Sequence, residues 1–450
     1  MATTRAKSGK LSDSTARNNV EAPVTDDLNQ PPPVDAQTTV ARDGEASILE
    51  GLNAHGKKKR GSASMNQGDN IVDLDPEDVY SLADLKDSLS ARREKARGER
   101  IRPRGEPYYT NETCNLIIDQ QNCLKFGRPN KEFLNWRWKP DECELPLFDA
   151  VQFLELVRGK SLALLGDSVG KNQMHSLLCL LTKVAYPEDL SDRYYTDTSY
   201  FKRYFYPDYN FTMGTLWAPF LVKSIESDSN GYSPNSQMNL YLDEPNEGWL
   251  NDVEKFDYVI VSAGQWFFRP TMLHENGSLI GCSTCKYDNL TTFTPYYAYR
   301  KAFRTVFRTL LGLENYKGVT FLRTFSPSHF ENGAWNEGGN CVRTRPFARE
   351  ELKVDQYIWD MHSPQVEEFR VFEELGKKRG LEFKLMDTTE AMLMRPDGHP
   401  NFYGHSPHRN MTLADCVHWC LPGPIDVWNE FLLYFLRTQQ SSLDGKTIEV

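Results

Sequence analysis

The chain has 450 residues, with 62 acidic against 52 basic side chains and a net charge of −10. That balance lacks the broad basic excess that a phosphate backbone favours, which argues against a dedicated nucleic-acid binder. Aromatics form 12% of the sequence and cluster at Trp136-Arg-Trp138, Trp217 and Trp266-Phe-Phe268, which fits a large core, with a sugar-stacking cleft as the alternative.

Residues 1–104 are rich in Ser, Asp, Lys, Gln and Gly and nearly free of aromatics, so they bury too little to offset the entropy of ordering and read as a disordered polar extension. Within it, Lys57-Lys-Lys-Arg60 reads as a solvated basic run rather than a nuclear signal, and 75–97 as a transient polar helix. From Gly105 to the carboxyl terminus the composition is that of a folded domain. Ser161-Leu-Ala-Leu-Leu165 predicts a buried strand, a tight turn follows, and 173–184 has helical spacing. Further strands are predicted at 258–261, 319–322 and 383–386, and helices at 296–311, 364–378 and 425–437. Strands alternating with helices predict a three-layer α/β domain around a parallel sheet.

The first strand-to-helix turn reads Gly166-Asp-Ser-Val-Gly170. Ser168 would sit past the carboxyl end of a strand, where open α/β sheets place ligands, and its N–H would lie at the positive end of the next helix. The same residues also suit a helix cap. Near the other end stands Asp415-Cys-Val-His-Trp-Cys-Leu-Pro-Gly423. A serine hydroxyl needs a base to take its proton, and the base works better when a carboxylate fixes its tautomer. Asp415 and His418 supply both types, although a turn aspartate and a core histidine would look the same.

Taken together, the two segments resemble the plant trichome birefringence-like family, a GDSL/SGNH-like group. The likeness extends through Tyr108-Tyr-Thr-Asn111, Trp136-Arg-Trp-Lys-Pro-Asp-Glu-Cys143, Tyr206-Pro-Asp-Tyr-Asn-Phe211 and Ser326-Pro-Ser-His-Phe-Glu-Asn-Gly333, and so covers about 105–438. It is closest to the branch acetylating xyloglucan or mannan. The resemblance implies an SGNH-hydrolase-like fold with long disulfide-tied insertions and a polysaccharide O-acetyltransferase with Ser168 as nucleophile, His418 as base and Asp415 as its partner. Oxyanion donors are expected at Ser168, at Gly264 in Ser262-Ala-Gly-Gln-Trp266, and at Asn332. The implied substrates are an acetyl donor such as acetyl-CoA and a cell-wall polysaccharide, expected to be xyloglucan, with no bound cofactor. Lys171, Arg269 and Arg323 are candidates to meet phosphates of such a donor. The same triad would serve an acetyl-esterase, and the aromatics alone would serve a non-catalytic polysaccharide binder.

Nine cysteines, all after residue 113, and sequons at Asn111, Asn210, Asn276, Asn289 and Asn410 favour an oxidising lumen. Cys282-x-x-Cys285 and the trio Cys416, His418, Cys420 have spacings a zinc ion could use, yet in such a lumen disulfides are expected instead. The resemblance implies the pairs Cys114–Cys179, Cys123–Cys420 and Cys341–Cys416. Family members carry an amino-terminal membrane anchor and a further cysteine segment not seen here, which leaves Cys143 expected to be unpaired or joined to Cys282 or Cys285. No run of about 20 apolar residues and no signal-peptide centre is present, so a Golgi location is expected from the resemblance alone.

Overall fold

The computed structural model describes residues 101–443, apart from 104, 141–144, 197, 199, 228–235, 286, 353–354 and 406–412. The polar helix expected at 75–97, the basic run and Cys143 lie outside the described residues. The first described residues already form a strand, β1 (Ile101–Pro103), antiparallel to β2 (Trp136–Trp138). The described strand β1 thus lies within the stretch read as an extension.

The central sheet grows from β3 (Ser161–Gly166), β4 (Glu188–Asp189), β5 (Arg203–Tyr206) and β6 (Phe211–Trp217), and is completed below. A second sheet uses β7 (Val222–Glu226), β8 (Met238–Pro245), β10 (Thr271–Glu275), β11 (Ser278–Ser283) and β12 (Thr292–Phe293). The remaining central strands are β9 (Tyr258–Ser262), β13 (Val319–Arg323) and β14 (Phe383–Met386). Its strand order is β14-β13-β9-β3-β6-β5-β4. The five strands from β14 to β6 run parallel, and β5 and β4 close that edge antiparallel.

Strand β3 shows why this sheet has two covered faces. Successive side chains point to opposite sides, and Leu162 and Leu164 join one buried cluster while Ala163 and Leu165 join the other. On the first face pack α1 (Ala150–Leu156), α2 (Ser168–Leu181) and α6 (Asp426–Leu443); on the second pack α3 (Pro295–Gly312) and α4 (Gln356–Arg379). A short α5 (Thr389–Leu393) follows β14. The result is the three-layer α/β architecture expected from the sequence.

Two helices begin earlier than periodicity indicates. Helix α2 starts at Ser168, with the Asp167 carboxylate accepting from Val169 N at 3.0 Å as its cap. Helix α4 runs through Pro364, which costs a ladder hydrogen bond, because Ile358 and Met361 of its first turns are buried in the second cluster. The five-stranded sheet was not anticipated. Among the described residues no helix is long and apolar enough to cross a membrane.

Candidate active site

Strand β3 ends on Gly166, at φ +148°, where an added Cβ would lie 1.5 Å from the carbonyl oxygen of Ser262 on β9. Only glycine tolerates that approach, and it lets the chain turn directly into α2. Ser168 becomes the first residue of that helix, so its N–H lies ahead of the intrahelical ladder, at the end where the peptide dipoles favour negative charge.

Across from it, Asp415 and His418 stand on a loop without regular secondary structure. Ser168 Oγ is 2.8 Å from His418 Nε2, and His418 Nδ1 is 2.8 Å from Asp415 Oδ2. The other Asp415 oxygen accepts from the backbone N–H of Val417 (3.1 Å) and His418 (2.9 Å), so the intervening backbone folds around the carboxylate. This fixes the neutral tautomer: Nδ1–H donates to Asp415, which leaves the Nε2 lone pair to accept from the serine hydroxyl. Burial works against the Asp415 charge, but His418 and the two N–H donors outweigh it and bring its pKa down to about 2. Burial likewise works against an imidazolium at His418, and the Asp415 carboxylate outweighs that, raising its pKa. A base raised in this way holds a proton more firmly when it takes one from serine.

Helix α2 carries more of the site than its first residue. Ser168, Asn172 and Ser176 recur at four-residue spacing and form one polar stripe. Each meets the carboxyl-terminal segment. Asn172 Oδ1 accepts from Trp419 N at 2.8 Å and its Nδ2 donates to Trp419 O at 3.2 Å, while Ser176 donates to Asp426 Oδ1 at 2.7 Å. The sequence reading missed Asn172; its only signal was the spacing from Ser168. His399 was missed as well, and its Nδ1–H donates to the carbonyl of His418 at 2.7 Å.

Further ties hold the loop from outside. Asn401 and Asp415 exchange backbone hydrogen bonds, and disulfides Cys341–Cys416 and Cys123–Cys420 flank the base. With Cys114–Cys179 these are the three bridges the resemblance implied. A fourth, Cys282–Cys285, overturns the pairing of Cys143 with either residue and occupies the thiols that a zinc reading needs. Among the described residues no group of three or more His, Cys, Asp or Glu side chains is arranged to hold a metal.

The other expected residues fall into place unevenly. Gly264 follows β9, the neighbour of β3, and a Cβ there would lie 2.7 Å from the Phe325 ring, so the site side of β9 also requires glycine. Asn332 is exposed and gives one amide N–H to Asn340 Oδ1 at 3.1 Å. Arg269 lies buried over the Trp266 ring at 3.7 Å, and Arg323 lies buried over Trp428 at 4.2 Å. Neither guanidinium is placed to meet a donor's phosphates. Arg323 instead faces Asp167, whose carboxyl is pushed up by burial and partly restored by that charge. Lys171 remains half-buried beside Tyr200.

With this geometry in place, comparison with known proteins is informative. Residues 145–435 match the PC-Esterase family, described as a GDSL/SGNH-like acyl-esterase family found in Pmr5 and Cas1p, and residues 95–144 match the PMR5 N terminal domain. Protein trichome birefringence-like 19 of Arabidopsis thaliana is 51% identical over 337 residues, covering 74% of this chain and 78% of that protein. The chain belongs to the trichome birefringence-like family. Other relatives of this trichome birefringence-like protein carry an activity in their names. Xyloglucan O-acetyltransferase 4 of Populus trichocarpa is 47% identical over 332 residues, 73% of this chain and 77% of the relative. Xyloglucan O-acetyltransferase 2 of Arabidopsis thaliana is 41% identical over 333 residues, 73% and 79% respectively. Family and relatives together support acetyl-transfer or esterase chemistry on polysaccharide.

Proposed function

We propose that this protein is a Golgi polysaccharide O-acetyltransferase that passes an acetyl group through Ser168 to a hydroxyl of a plant cell-wall polysaccharide, with xyloglucan as the acceptor. The observation that carries the proposal is the continuous chain Ser168 Oγ, His418, Asp415, with both contacts at 2.8 Å. His418 takes the serine proton as Oγ attacks the acetyl carbonyl of a donor such as acetyl-CoA. The tetrahedral oxyanion is received by the N–H groups of Ser168 and Gly264, and His418 returns its proton to the leaving group. A sugar hydroxyl then attacks acetyl-Ser168, giving its proton to His418, and collapse of the second intermediate returns that proton to the serine.

One feature supports a polysaccharide acceptor and another the compartment. Gly166 lies in register with Trp217 on the adjacent strand, and the partly exposed Trp217 ring pairs with the partly exposed Tyr200 at 4.7 Å, backed by the buried Trp266. Pyranose rings stack on such faces. The disulfides support a luminal compartment. Incubating the disulfide-bonded chain with an acetyl donor and xyloglucan, mannan or xylan oligosaccharides tests the proposal by mass. Wild type is expected to add acetyl groups to xyloglucan and Ser168→Ala to add none, a loss of at least about a thousandfold. Release of acetate to water in place of transfer would make the protein an esterase with the same triad, and glycan binding without either reaction would remove the triad from its function.

A further inference from the structure

Behind the base lies a second histidine cluster that the proposed reaction does not use. His329 Nε2 is 3.0 Å from the carbonyl oxygen of Leu393, His329 Nδ1 is 2.7 Å from His399 Nε2, and His399 Nδ1 is 2.7 Å from the carbonyl oxygen of His418. The chain therefore runs from one backbone carbonyl through two imidazoles to another. Carbonyl oxygens only accept. Three contacts need three protons, and two neutral imidazoles carry two. Whichever tautomers are chosen, one contact of hydrogen-bond length is left with two lone pairs facing.

We propose that His329 and His399 bind one additional proton between them and act as a charged positioning pair, holding the carbonyl of His418 and with it the loop that carries the base. The positioning part rests on the triad reading above; the shared proton does not. The surroundings allow the pair little freedom to avoid the conflict. His399 is fully buried and stacked on Trp419 at 4.1 Å, and His329 is tied by its backbone N–H to Cys416 O at 3.2 Å. His329 is only half-buried, which gives the proton a way in.

The charged groups around the pair divide. Asp415 favours the added charge, whereas Arg128, which donates to His399 O at 2.5 Å, and Arg343, which is ion-paired to Glu331, oppose it. The neighbouring Arg395 and Asp397 neutralise each other in a buried ion pair. Burial pushes both rings down, His329 to about 4, and the bonds to Leu393 O and His418 O pull them back up. The pair is thus protonated on the acid side of the ordinary imidazole value of 6.5 and releases its proton as pH rises, when the facing lone pairs separate the rings and loosen the loop.

The test uses the full disulfide-bonded chain with ¹⁵N-labelled histidine, and follows ring nitrogen shifts between about pH 3 and 7.5, with His329→Asn and His399→Phe for assignment. At the acid end of that range the pair is expected to show three protonated nitrogens, lost in one shared step as pH rises. In His329→Asn an amide N–H donates to His399 Nε2 without any charge, so that step disappears from the shifts and from the pH profile of kcat. His399→Phe keeps the stacking but loses the donor to His418 O, and kcat is expected to fall about tenfold with KM held. Two neutral rings throughout the range, with superimposable pH profiles for wild type and His329→Asn, would overturn the shared proton. An unchanged kcat in His399→Phe would overturn the positioning role. If the wild type turns over no substrate, the proposed function fails and the nitrogen shifts alone decide whether the proton is there.

Discussion

The two halves of the site are held by different physics. Ser168 is placed by regular structure: a parallel strand, a glycine pressed against its neighbour and the first turn of a helix. His418 is placed by cross-links between remote segments: two disulfides, the Asn172 amide, the His399 ring and the bridge to Asn401. A nucleophile set by backbone geometry tolerates little local change. A base set by many ties should weaken by steps as the ties are removed.

The contrast can be broken most severely at Gly166. A methyl group 1.5 Å from the Ser262 carbonyl has nowhere to go, so Gly166→Ala is expected to cost at least about 4 kcal/mol and leave little folded protein. A soluble, active Gly166→Ala protein with a normal melting temperature would show that the strand pair can give way. Replacing Cys341 and Cys416 by serine comes next. The bridge spans 75 residues, which corresponds to about 4 kcal/mol in the chain-entropy account. Here the expected order differs: activity is lost at denaturant concentrations that leave the circular dichroism of the sheet intact. Serines at Cys282 and Cys285, only three residues apart, should change activity little and serve as the control. A smaller effect than at Gly166 or the Cys341–Cys416 bridge is expected for Asn172→Ala, which removes the two bonds to Trp419. The fold should remain, with kcat lowered about tenfold to a hundredfold. If Asn172→Ala instead prevents folding, the stripe on α2 is part of the core rather than a mount for the base.

The same contrast explains what the sequence discloses. The apolar runs at 161–165, 258–261 and 319–322 are strands because a sheet covered on both faces favours near-continuous apolarity, while 383–386 forms the edge strand and carries the half-buried Lys384. Strands β7 and β10 read Val-Lys-Ser-Ile-Glu and Thr-Met-Leu-His-Glu, with too little apolar continuity to stand out, so the second sheet was invisible. Ser168, Asp415 and His418 were found through a family likeness, since spacing alone left a helix cap, a turn residue and a core histidine equally open. Asn172, His329 and His399 went unrecognised because their partners are backbone groups or side chains far away in the chain, and no local pattern marks such a meeting.

Ser168 and His418 are separated by 250 residues, and the disulfide from Cys123 to Cys420 spans 297. During synthesis, then, the nucleophile leaves the ribosome long before its base exists. An interrupted polypeptide could fold its strands and carry an exposed serine, but it would have no means of activating it. Competence to react arrives only once the segment carrying Asp415 and His418 has been made and cross-linked to the rest.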